Sequence, residues 1–154
     1  MNKTLQDYGI AENQPLYIYQ SPMFMVTVST VLIVENGVVM VEKDDEFRFP
    51  GGRIKAGQET IQFAAIRHVK EQTGIALTKE ILIPADFRSS PERSREGNII
   101  DIGFVCTFDH PLPENHKWME VDFENRCLVK EMPLYMDHDI LLQRAIDIVV
   151  MMRG

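Results

Sequence analysis

The chain is poor in cysteine, has no long hydrophobic run and lacks any surplus of positive charge, and each shortage removes a class of protein. Cys106 and Cys127 are its only cysteines in 154 residues. They leave no paired metal-binding spacing and no disulfide framework, so two reduced, buried thiols are expected. The longest apolar-rich run, Met23 to Val34, is interrupted by Thr27, Ser29 and Thr30 and is too short to span a bilayer, so no membrane partner is expected. Met1 to Pro15 has no charged segment followed by an apolar stretch, which argues against a secretory signal and for a cytoplasmic protein. Lysine and arginine number 16 against 23 acids, a net charge of -7; without a basic footprint, nucleic acid is not expected as a partner. Repeats, low-complexity tracts and long Gly/Ser linkers are absent as well. What remains is ordinary: 45% apolar and 25% charged residues sit at the globular average, and the length predicts one domain over 1–154.

Strand signals come first. Met25 to Val34 is dense in β-branched residues, Glu35-Asn36-Gly37 supplies a turn, and Val38 to Glu42 continues as a second strand, which together predict a hairpin. Glu46 to Phe49 alternates polar and aromatic residues into Pro50-Gly51-Gly52, where regular pairing is expected to end. A helix is predicted over 60–73, begun at Glu59-Thr60 and closed by Gly74. Ile81 to Phe87 and Ile99 to Phe108 read as strands, the first an edge strand because it contains Pro84. Val121 to Val129 is ambiguous, and Asp139 to Met152 repeats apolar residues at helical spacing. Strands with two helices give an α+β fold, a sheet with helices against its faces.

Chemistry concentrates in residues 49–75, FPGGRIKAGQETIQFAAIRHVKEQTGI. At about 100° per residue, Arg67, His68, Glu71 and Gln72 share one helix face, while Phe63, Ile66 and Val69 are expected to pack on the other. Ala64 and Ala65 add little bulk, so backbone or ligand can come close. A glycine-rich loop entering such a helix brings backbone N–H groups near anionic oxygens. Gly51, Gly52 and Arg53 are therefore candidate substrate-binding residues.

This segment resembles the Nudix box, whose pattern is Gly, five residues, Glu, seven residues, then Arg-Glu-apolar-x-Glu-Glu-x-Gly-apolar. Gly52, Glu59, Arg67, Val69, Glu71 and Gly74-Ile75 match it, and the seven-residue gap from Glu59 to Arg67 is kept. The resemblance implies a Nudix-type α/β/α sandwich with a mixed sheet, box helix about 60–73 and C-terminal helix about 139–152. It also implies phosphoanhydride hydrolysis, with helix carboxylates gathering Mg²⁺. Three departures stand out. Six residues separate Gly52 from Glu59, so that Gln58 competes for the glutamate's slot; His68 occupies the place of the glutamate after arginine, and Gln72 that of the second paired glutamate. Mg²⁺ needs hard oxygen ligands, so Glu59, Glu71 and the amide oxygen of Gln72 are the metal candidates and the site is expected to be weak. Imidazole at 68 suits Mn²⁺ better. Glu71, Arg67 and His68 are the catalytic candidates, His68 as a base because imidazole is the side chain suited to proton transfer near neutral pH. Glu92, Glu96, Glu114 and Glu120 are alternative bases on polar stretches.

Two further segments resemble the ADP-ribose pyrophosphatase-like branch: Ser90-Pro91-Glu92-Arg93-Ser94-Arg95-Glu96-Gly97, and Met132-Pro133-Leu134-Tyr135-Met136-Asp137-His138-Asp139-Ile140-Leu141. Arg93 and Arg95 offer guanidinium forks to phosphates, or pair with the loop's own glutamates, and Asp137 is expected to cap the final helix. The expected partner is a nucleotide-type small molecule, an ADP-ribose-like compound or a nucleotide sugar. The sequence leaves a homodimer open. The rival from another class is a nucleotide-binding or sensor protein that kept the fold and lost turnover at positions 68 and 72.

Overall fold

In the computed structural model, which describes residues 24–94, 97–112 and 117–154, the first described element is the run of β-branched residues that the sequence marks as a strand. β1 (Met25–Val34) turns through Glu35 and Asn36 into β2 (Gly37–Lys43). β3 (Glu46–Arg48) pairs back on β2. The chain then crosses Pro50, and β4 (Gly51–Arg53) pairs antiparallel with β1, Val28 opposite Gly52. Pairing therefore resumes at the two glycines rather than ending there. Gly51 allows it, since a Cβ at that position would lie 2.0 Å from the Val28 carbonyl oxygen.

Helix α1 (Ile61–Thr73) follows. Thr60 caps it by accepting the Phe63 N–H at 3.2 Å, and Gly74, at φ 75°, closes it with an N–H to the Lys70 carbonyl. A short 3₁₀ turn over Lys79–Ile81 takes the start of the strand expected from residue 81, so that β5 covers Ile83–Arg88. It is an edge strand, with its register shifting between Pro84 and Asp86 where proline cannot donate to the ladder. β6 (Ile99–Thr107) lies parallel to β1, which makes the sheet mixed. The ambiguous stretch resolves into a hairpin of β7 (Lys117–Asp122) and β8 (Cys127–Leu128), and α2 (His138–Arg153) ends the chain. The strand order is β5-β6-β1-β2-β7-β8, with β3 attached to β2 and β4 to β1.

Strand parity separates two cores. Val28, Leu32 and Val34 of β1 and Phe104 and Cys106 of β6 pack with Ala64, Ala65 and Val69 of α1. Val31, Ile33 and Val105 point through the other face to Leu141, Leu142, Ala145, Ile146 and Val149 of α2. This is the α/β/α sandwich the resemblance implies. Two expectations are corrected. Phe63 is exposed, because the stripe that meets the sheet is the alanine pair with Val69. Cys127 is also exposed, on a two-residue strand at the sheet's margin, whereas burial pushes the Cys106 thiol up to about 12. Among the described residues no helix is long and apolar enough to cross a membrane.

Candidate functional site

The loop and helix of residues 49–75 meet through side chains of α1 that point back at β4. The Gln72 amide accepts the Gly51 N–H at 3.0 Å and donates to the Gly51 carbonyl at 2.7 Å, as a neighbouring strand would. One turn earlier, His68 Nε2 donates to the Arg53 carbonyl at 2.8 Å, and its Nδ1 is buried with no partner among the described residues. The imidazole also fills the space above Gly52, where a Cβ would come within 2.5 Å of the ring.

Arg67 works on the same loop. It forks onto Glu59 through Nε at 2.9 Å and Nη2 at 2.6 Å, reaches the Arg53 carbonyl at 3.2 Å, and touches the exposed Glu71 at 3.4 Å. Glu59 also accepts the Lys55 N–H at 2.8 Å. The Arg67 guanidinium and this backbone donor hold the Glu59 carboxyl down to about 2. Between Gly52 and Glu59 the loop turns at Lys55, where Gln58 N–H and Glu59 N–H both return to the Lys55 carbonyl and Gly57 adopts φ 76°.

Beside this clamp lies a cleft of about 410 Å³, lined by Gly51, Gly52, Arg53 and Gln72 on one side and by Arg48, Tyr135 and His138 on another. Its charge opposes that of the chain. Among the described residues lining it, Lys43, Arg48, Arg53 and Arg93 face the single carboxylate Asp101. Arg48 lies over the Tyr135 ring at 3.8 Å, with its Nε buried and no hydrogen-bond partner for it among the described residues.

The floor is a buried polar network. Asp101, 2% exposed, accepts Thr27 Oγ1 and Ser29 Oγ (3.0 Å) and pairs with Arg88. Arg88 continues to Asp86 and Asp137, and Arg93 forks both oxygens of Asp137 at 2.8 Å. Burial pushes the Asp137 carboxyl up, but Arg93 and Arg88 together hold it below its ordinary value. Asp86 is raised by burial despite Arg88. His138 accepts the Phe49 N–H on Nδ1 at 3.1 Å, and its Nε2 faces Ser29 Oγ at 3.5 Å. Burial lowers its pKa to about 4, opposed by Asp101.

Gly51, Gly52, Arg53, Gln72 and Arg93 thus border one cleft, while Arg67, His68, Glu59 and Glu71 stand on the helix-loop junction beside it. Arg93 is already forked by Asp137. Asp137 itself occupies the cap position of α2, but its carboxylate makes no capping bond because it is bonded to the two arginines. Arg95, Glu96 and Glu114 lie outside the described residues, and Glu92 and Glu120 do not line the cleft. Sequence reasoning missed Asp101, Arg88, Arg48 and Tyr135. Asp101 had a signal, since a lone carboxylate in the apolar run Ile99 to Val105 needs a buried partner.

A family profile described as NUDIX domain matches residues 23–145. The chain belongs to the Nudix family. An ADP-ribose pyrophosphatase from Methanocaldococcus jannaschii is 29% identical over 85 residues, 52% of this chain and 48% of that one, so the match spans about half of that relative. A Francisella tularensis bifunctional NMN adenylyltransferase/ADP ribose pyrophosphatase, solved with AMP and a Mn ion, superposes with TM-score 0.63 at 27% identity, covering 89% of this chain and 44% of that chain. The Nudix domain of Shewanella oneidensis NrtR, solved with ADP ribose, gives TM-score 0.70 at 18% identity, covering 96% and 99% of the two chains, a likeness of fold.

The Nudix box raises the question of a metal. Glu71 is open to a cation, whereas both Glu59 oxygens are engaged by Arg67 and Lys55 and the Gln72 oxygen by Gly51. Among the described residues no three His, Cys, Asp or Glu side chains converge on a point. A resident Mg²⁺ or Mn²⁺ does not fit these donors. An ion carried in on a ligand's phosphates does, because Mg²⁺ commonly adds one carboxylate to phosphate oxygens and water.

Proposed function

We propose that the cleft takes a nucleoside diphosphate joined to a second moiety, an ADP-ribose-like compound or a nucleotide sugar, and that the chain hydrolyses it slowly as a Nudix hydrolase. The observation that carries this reading is a cationic cleft, walled by Gly51–Arg53, in a chain of net charge -7. Family membership and the pyrophosphatase relative support the reaction class.

Arg48 and Lys43 offset the phosphate charge, and the Gly51–Arg53 backbone bounds the cleft beside them. Glu71, steadied by Arg67 one turn away, would hold a phosphate-borne Mg²⁺ or Mn²⁺. Held there, the ion would supply charge withdrawal from the phosphates and a more acidic water. The geometry of His68, bonded to Arg53 on one nitrogen and buried on the other, supports a positioning role over that of a base.

A second reading is binding without turnover, favoured by the use of His68 and Gln72 to hold the loop. Mg²⁺-dependent hydrolysis of ADP-ribose, NADH, GDP-mannose, diadenosine polyphosphates and dNTPs, run beside thermal shifts, separates the two. Slow release of a nucleoside monophosphate is expected, at least about 10²-fold lower in Glu71→Gln and raised in His68→Glu/Gln72→Glu. Stabilisation by a ligand with no product would leave the binding reading; wild-type rates in Glu71→Gln would refute the metal assignment.

A further inference from the structure

We infer that this cleft binds its diphosphate ligand without a divalent cation. The inference rests on the proposed reading of the cleft and concerns how the Gly51–Arg53 wall is held. Two backbone carbonyls, those of Gly51 and Arg53, point at α1. An oxygen ligand at position 68 or 72 would meet them oxygen to oxygen, an arrangement that needs a cation between to offset the repulsion. In this chain both positions donate instead. Gln72 Nε2 reaches the Gly51 carbonyl at 2.7 Å, and His68 Nε2 reaches the Arg53 carbonyl at 2.8 Å.

The same amide accepts the Gly51 N–H, so its donor and acceptor are both satisfied by one residue of the loop. The imidazole completes the wall by filling the space over Gly52. β4 is therefore fixed from both sides by protein alone, paired to β1 on one and bonded to α1 on the other. Lys43 and Arg48 line the cleft that this wall bounds, and the buried Nε of Arg48 has no hydrogen-bond partner among the described residues. Phosphate charge thus meets the Arg48 guanidinium, held over the Tyr135 ring, and the exposed Lys43 ammonium at the cleft's margin, the role a metal would otherwise have in binding. The cation's place is confined to turnover.

The test is calorimetric titration of the full chain with methylene-bridged analogues of ADP-ribose and GDP-mannose, which cannot be hydrolysed, in EDTA and again in MgCl₂. At least one analogue is expected to bind with dissociation constants that agree within about threefold between the two buffers. Gln72→Glu, its fold checked by circular dichroism, is expected to weaken that binding about tenfold in EDTA and to regain it in MgCl₂. Binding by the wild-type chain only with Mg²⁺ overturns the inference and leaves the proposed ligand class intact. An unchanged affinity of Gln72→Glu in EDTA overturns the clamp as its cause. No binding of either analogue in either buffer overturns the reading of the cleft, and this inference with it.

Discussion

His138 shows at the level of one side chain how burial sets a property of the site. Its Nδ1 is committed to the Phe49 N–H and its ring stacks on Phe49, so the imidazole belongs to the cleft's floor as a neutral group. The folded-state pKa of about 4 lies below the ordinary 6.5. Between those values the unfolded chain takes up a proton that the folded chain refuses. This contribution to stability is therefore whole above pH 6.5 and lost as pH falls toward 4, about 3 kcal/mol in all. Urea melts of wild type and His138→Gln between pH 7 and pH 4 check it: the wild type is expected to lose stability more steeply, and parallel curves would contradict the assignment. The sequence marked position 138 only as part of a helix opening. Nothing local distinguishes a buried histidine from a solvated one, and its partners are Phe49 and Ser29, far off in sequence.

Among elements, legibility follows local chemistry. Helix α1 was readable because Thr60 and Gly74 carry its ends, and the first hairpin because Asn36-Gly37 sits between two β-branched runs. β4 was not, since two glycines have no side-chain pattern and their pairing with β1 depends on contacts more than 20 residues away. At the start of α2 the cap position was read correctly but the role of its side chain was not, for a similar reason. Its aspartate had the sequence of a cap, but Arg88 on β5 and Arg93 in the following turn claim it. That tie joins the edge strand to the final helix, and removing it leaves two buried guanidinium groups short of a partner. Asp137→Ala is expected to cost about 3 kcal/mol, a fall in Tm of roughly 6–12 °C by differential scanning calorimetry. A fall within about 2 °C would mean that Asp86 and Asp101 suffice for Arg88.

On the scale of the whole molecule, the acidic surplus and the cationic cleft are complementary facts. The chain carries a net charge of -7, while Lys43 and Arg48 place positive charge in one concave region. Strand parity puts that region where β1, β4 and β6 meet the opening of α2, with the box helix behind its glycine wall. The sandwich was legible from the Nudix-like segment; the cleft's cations and its Asp101 floor were not, because five separate elements supply them. The most direct test of the cleft as a diphosphate site is an amide NMR titration with ADP-ribose in EDTA, following the Gly51 and Gly52 amides and the Gln72 side-chain NH₂. These resonances are expected to shift together and saturably while those of Arg126–Val129, which include the edge strand β8, stay in place. Shifts confined to Arg126–Val129, or none at all with ADP-ribose or GDP-mannose, would contradict the account.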